Sequence, residues 1–225
     1  MSPLHPRLPG LMLACVVALA CAGRTGAPVS GQPQSGKPVP PRVADVDLRQ
    51  LPITPGPAPG APGKNVPDLR QTDPATGSAT LGRIIIRVTP RGLALLSADG
   101  AMLAGPIAFR SFWPAGAEPC GVEVESPPAV HADPGAGRFV IVQTIQRTAA
   151  GSLPVCIAVS RAADAVTGGW WLYDFALPLP GSRARLEMSG ATWQLSLDGV
   201  PRPAARVVLD RAAMLAGAPA SFTVR

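Results

Sequence analysis

The chain has 225 residues, among them 28 prolines and 24 glycines crowded toward its first third. Length allows one or two domains, but that Pro/Gly load leaves core-building residues for only one of ordinary size. Net charge is +6, from 20 basic and 14 acidic residues, and the arginines run from Arg7 to Arg225 without a cluster. A nucleic-acid binder concentrates its basic charge on one face with aromatics between, so that class of partner is excluded; attraction to an anionic envelope surface is unspecific.

The first twenty residues have the layout of a secretory signal. Met1 to Arg7 carries one arginine, and Leu8 to Ala20 (LPGLMLACVVALA) is apolar but too short to span a bilayer as a stable helix. Ala18-Leu19-Ala20 meets the small-residue rule for cleavage before Cys21. The same residues resemble a bacterial lipoprotein signal, in which Cys21 becomes the acylated first residue, although Ala18 stands where leucine is commoner. Acylation of Cys21 implies a membrane partner held through lipid, because each buried methylene adds about 0.8 kcal/mol. Simple secretion is the alternative exit. Either way the location is extracytoplasmic.

Residues 21–79 read as a Pro/Gly-rich disordered tether. Twelve prolines fall between Ala22 and Ala75, aromatics are absent, and too little apolar surface is present to offset the entropy of ordering. Within the tether Asp47-Leu-Arg-Gln50 recurs as Asp68-Leu-Arg-Gln71. The repeat is open to two readings, a short docking motif presented twice or a duplication within a linker.

Residues 80–225 read as an all-β domain. Arg83 to Thr89 alternates, with Ile84, Ile86 and Val88 on one face. Asp99-Gly100 between Leu93–Leu96 and Met102–Phe109 predicts a type I′ hairpin. Arg138 to Ile145, Val155 to Ser160 and Trp170 to Leu177 are apolar on both faces, which belongs to a sheet covered on both sides. Trp193 to Leu197 and Arg206 to Leu209 add strands. Asp210 predicts an N-cap for a helical turn through Leu215 closed by Gly217, and Ser221 to Val224 is a last strand.

Several stretches in order resemble a family of secreted bacterial proteins with a propeller-like β domain. They are Leu95 to Gly105 (LLSADGAMLAG), Ser111-Phe-Trp113, Cys120, Asp133-Pro134, Gly137-Arg-Phe139, Cys156-Ile-Ala-Val-Ser160, Trp171-Leu-Tyr173 and Leu209 to Gly217 (LDRAAMLAG). The resemblance implies antiparallel sheets in a propeller-like arrangement. Two loops depart from it: Val122 to Pro128 replaces an acidic loop, and Gly181 to Arg185 replaces an Asp-Tyr-Pro-Lys turn, so a ligand or ion site on those loops is not carried over. A propeller needs four or more blades, and this domain holds material for three or four. It forms an incomplete arc, a minimal ring, or half of a homo-oligomer.

Candidate chemistry is sparse. His131 and Asp133 share a face of one extended segment without a fixed serine, and no H-E-x-x-H, G-x-S-x-G or P-loop occurs. Glu118, Glu123, Glu125 and Asp133 offer carboxylates for a glycan hydrolase, with nothing to set their separation. Cys120 and Cys156 predict a disulfide in an exported chain, and His131 adds too few ligands for a metal site. Trp170, Trp171, Tyr173 and Phe175 read as core, whereas Trp113, between Phe112 and Pro114, reads as a surface contact. The resulting expectation is a binding or scaffold domain without cofactor, its ligand contacts among Trp113, Glu123, Glu125, His131 and Asp133, its partner an envelope protein or glycan. The rivals are an extracytoplasmic glycan hydrolase and a family member that has lost its site.

Overall fold

The computed structural model describes residues 34–52, 77–90, 92–114, 119–120, 128–145, 151–179, 183–198 and 206–225. Two short strands come first, β1 (Gln34–Ser35) and β2 (Arg42–Ala44), and then a 3₁₀ turn, Leu48–Gln50. An antiparallel meander follows: β3 (Gly77–Leu81), β4 (Ile84–Thr89), β5 (Gly92–Ser97) and β6 (Met102–Ala108). One helical turn, α1 (Phe109–Phe112), leads away from it. Next are β7 (Ala129–Asp133), β8 (Arg138–Thr144), β9 (Leu153–Ser160) and β10 (Trp170–Leu177). The chain ends with β11 (Arg183–Ser189), β12 (Thr192–Asp198), β13 (Arg206–Leu209), α2 (Arg211–Ala216) and β14 (Phe222–Val224).

These strands form three antiparallel sheets, in the orders β3-β4-β5-β6, β2-β10-β9-β8-β7 and β1-β14-β13-β12-β11. None of the three closes on itself among the described residues. The second sheet lies between the other two, and the side-chain period of two along its strands shows it. Phe139, Ile141, Cys156, Ala158, Trp170 and Leu172 point into one core with Ile86, Val88, Leu93, Leu95 and Ile107 of the first sheet. Their neighbours Val140, Val142, Val155, Ile157, Val159, Tyr173 and Phe175 point into a second core with Leu186, Trp193, Leu195, Val207 and Phe222 of the third. The doubly apolar runs in the sequence are therefore the middle layer of a stack.

Local signals and structure agree at several places. Asp210 caps α2 by accepting from the Ala213 N–H at 3.1 Å, and Gly217 ends it at φ +65°. A Cβ on Gly217 would run into the Trp171 ring, so this position needs glycine for space as well as for its backbone angle. The β5–β6 hairpin is real, but its turn is not type I′. Asp99 keeps a negative φ and only Gly100 is left-handed, at +86°. The loop is Ala98 to Gly100, closed by Ser97 N–H to the Ala101 carbonyl at 2.8 Å, the three-residue form with glycine at its αL position.

Two expectations fail. The tether is not disordered throughout, because residues 34–52 form a strap across the stack: β1 pairs with β14, Val39 bridges Ala220, and β2 pairs with β10. Proline density hid this, since an edge segment needs only a few backbone hydrogen bonds and tolerates proline between them. The folded part accordingly starts before residue 80, with the strap and with β3 at Gly77. Strand β11 was also missed, though its pattern is legible: Ala184, Leu186 and Met188 face the second core, while Arg185 and Glu187 are exposed.

Candidate functional site

Of the residues singled out from the sequence, Cys21, Glu118, Glu123 and Glu125 lie outside the described residues. Cys120 and Cys156 form a disulfide, with Cα atoms 5.8 Å apart, tying the segment after α1 to β9. Trp113 is not a surface contact. It is 4 % exposed, because α1 turns the chain back and sets Phe112 edge-on against both Trp113 (6.0 Å) and Trp170 (5.4 Å) inside the first core.

His131 and Asp133 lie on the same face of β7, as alternation requires, but they do not form a catalytic pair. Asp133 is 6 % exposed and its oxygens are occupied. One accepts from the Ala136 N–H at 3.0 Å; the other accepts from Trp193 Nε1 at 3.0 Å and Arg211 Nε at 2.9 Å. Arg211 also leans on the Trp193 ring, 5.7 Å from its centroid. Burial by itself would push the Asp133 carboxyl up, but these donors and the guanidinium outweigh it and hold the group below its ordinary value. Asp133 thus closes the turn after β7 and fastens the middle sheet to the third. His131 is half-buried, burial pushes its pKa down, and its Nε2 has no partner among the described residues. Ser160 is committed elsewhere, accepting from the Phe139 N–H and donating to the Ala162 carbonyl, both at 2.9 Å. Among the described residues no three His, Cys, Asp or Glu side chains come together to hold a metal ion.

The strap lies along the edges of two sheets and reaches the first core. On the third sheet its contact is backbone pairing, β1 on β14, continued by reciprocal hydrogen bonds between Val39 and Ala220 at 2.8 and 2.9 Å. On the middle sheet β2 adds a strand beside Trp170–Leu172, and Val43 on it is 47 % exposed. Two ion pairs accompany the backbone pairing: Arg161, stacked 4.6 Å over the Trp171 ring, pairs with Asp45, and Arg42 stands 3.7 Å from Asp174. The strap then enters the first core with Leu48, whose N–H donates to the Val166 carbonyl at 2.9 Å. Backbone pairing supplies affinity without regard to sequence, and the charges and Leu48 supply specificity, which is the logic of strand addition at a sheet edge. Arg42 and Asp45 were missed in the sequence, whereas Leu48 lies in the repeated Asp47-Leu-Arg-Gln50, for which a docking motif was one of two readings.

Beside this surface, at the opposite end of β10 from the Trp170 pairing, lies a shallow cleft of about 140 Å³ lined by Cys120, Cys156, Pro154, Asp174 and Ala176. Among the described residues its lining is mainly apolar, with one carboxylate, Asp174, at its rim.

The chain matches no family model, no curated protein and no solved structure in the three comparisons made.

Proposed function

We propose that the chain is an exported envelope protein, held at a membrane by acylation of Cys21, whose stacked-sheet body is a non-catalytic binding or scaffold module for extended segments. The observation that carries this reading is the strap: the body already holds one extended segment by edge pairing, two ion pairs and a buried leucine. Asp133, the one candidate acid among the described residues that lay beside a histidine, is spent on holding sheets together. The disulfide supports an oxidising, extracytoplasmic compartment, as does the signal-like start of the chain. The three stacked sheets are read as blades of an open, propeller-like arc, in keeping with the resemblance noted in the sequence. Two copies completing one another would cover the ends of such an arc.

The test has three arms. Mass spectrometry of the mature amino terminus is expected to find acylated Cys21, and Cys21→Ser to move the protein from membrane to soluble fraction. A photo-crosslinker at Val43, on the exposed outer strand, is expected to trap an envelope component in intact cells. Hydrolysis of an envelope glycan that disappears in a Glu123→Ala/Glu125→Ala variant would replace the binding reading with the enzyme one.

A further inference from the structure

The strap meets the first core through four residues that occur twice in the chain. In Asp47-Leu-Arg-Gln50 the aspartate and arginine organise the turn between themselves. Asp47 accepts from the Arg49 backbone N–H at 3.0 Å and holds the Arg49 guanidinium through Nε at 2.9 Å and through NH2 at 2.6 Å. The Gln50 N–H closes onto the Asp47 carbonyl at 2.9 Å. Arg49 and Gln50 stay in solvent, and Leu48 alone is driven inward, to 1 % exposure. The body contributes an apolar socket within the first core, beside β6, the Val166 carbonyl as acceptor for the Leu48 N–H, and Asp164 close enough to favour a cation at Arg49.

The contacts that the turn itself makes are supplied by Asp, Leu, Arg and the main chain, and Asp68-Leu-Arg-Gln71 carries the same residues. We infer that this socket is a binding site for an Asp-Leu-Arg-Gln turn with two ligands in the one chain: residues 47–50, which occupy it, and residues 68–71, which dock there when the first copy is withdrawn. Flanking residues rank the two. The first copy is preceded by Asp45, paired with Arg161, and by β2, and is followed by Leu51, which packs on the first core. In the second, Val66 stands at the position of Asp45, Pro67 at that of Val46 and Thr72 at that of Leu51, so the charge before the turn and the leucine after it are absent from its sequence. Reach does not forbid the exchange. Five residues join Gln71 to the start of β3, six Cα–Cα steps that span about 20 Å when extended, against about 14 Å for the three strand spacings between β3 and β6. Tethered this closely, the second copy faces the socket at an effective concentration in the millimolar range. Its docking would lift β2 from β10 and open the Trp170–Leu172 edge to another strand.

A leucine cycle on the full mature chain tests this. Leu69→Ala alone is expected to leave the urea midpoint unchanged and Leu48→Ala to lower it modestly. The Leu48→Ala/Leu69→Ala pair is expected to lower it by clearly more than the sum. Equal midpoints for Leu48→Ala and the pair would overturn the inference. Asp45→Ala, which leaves every core residue in place, serves if the leucine variants fail to fold. Hydrogen exchange should then show protection passing from the Leu48 amide to the Leu69 amide, and a Leu69 amide unprotected in that variant overturns the inference as well. A labelled peptide of residues 64–74 is expected to bind the double variant saturably, and about tenfold or more weakly once its leucine is alanine; absence of saturable binding is also fatal to it.

Discussion

Asp133 shows how one side chain changes its meaning between sequence and structure. Read along the chain it is a candidate acid beside the last histidine; folded, it holds the turn at Ala136 and joins two sheets through Trp193 and Arg211. Removing it strands a guanidinium and an indole N–H in a nearly dry place, which costs on the order of 3 kcal/mol. Asp133→Ala is therefore expected to lower the urea midpoint substantially, read by tryptophan fluorescence. Its folded pKa lies below the unfolded value, so the stability it contributes is complete above about pH 4 and is lost as pH falls through the folded value. Asp133→Asn should flatten that acid limb. His131 acts earlier and through burial: the folded state resists its protonation while the unfolded chain takes up the proton near pH 6.5. Stability is thus expected to begin falling as pH drops below about 6.5, a decline that His131→Gln should remove in equilibrium unfolding measured between pH 7 and 5.

Among elements, the disulfide and the strap constrain the fold by different means. The disulfide closes a loop between residues separated by 36 positions, which in the chain-entropy model stabilises the fold by about 4 kcal/mol. Reduction, or Cys120→Ala/Cys156→Ala, is expected to lower the thermal midpoint correspondingly in calorimetry. The strap covers sheet edges. Deleting residues 22–52 would leave the Trp170–Leu172 edge and the β14 edge with unpaired backbone groups and would empty the Leu48 socket. Light scattering is expected to find such a truncated protein associating as its concentration rises, and the intact chain not doing so through these edges.

At the scale of the whole molecule the defining fact is the layering of three antiparallel sheets with two cores between them. The tryptophans report on both cores: Trp113 and Trp170 lie in the first and Trp193 in the second, all three buried, while Trp171 sits between Arg161 and Gly217. Iodide is consequently expected to quench little of the native emission and most of it in urea.

Strand existence was legible because burial on both faces leaves unbroken apolar runs, as in Val155 to Ser160, whereas a half-covered strand alternates. The cap at Asp210 and the stop at Gly217 were legible because both are decided by local backbone chemistry. The middle position of β8 to β10 followed from the same double apolarity. Which layers flank it, that Trp113 turns inward, that Asp133 meets Arg211 seventy-eight residues away, and that a proline-rich segment lies along three sheets did not follow. Those outcomes depend on which edges and faces are left uncovered once the sheets have stacked. That is a property of the assembled stack, and no window of neighbouring residues contains it.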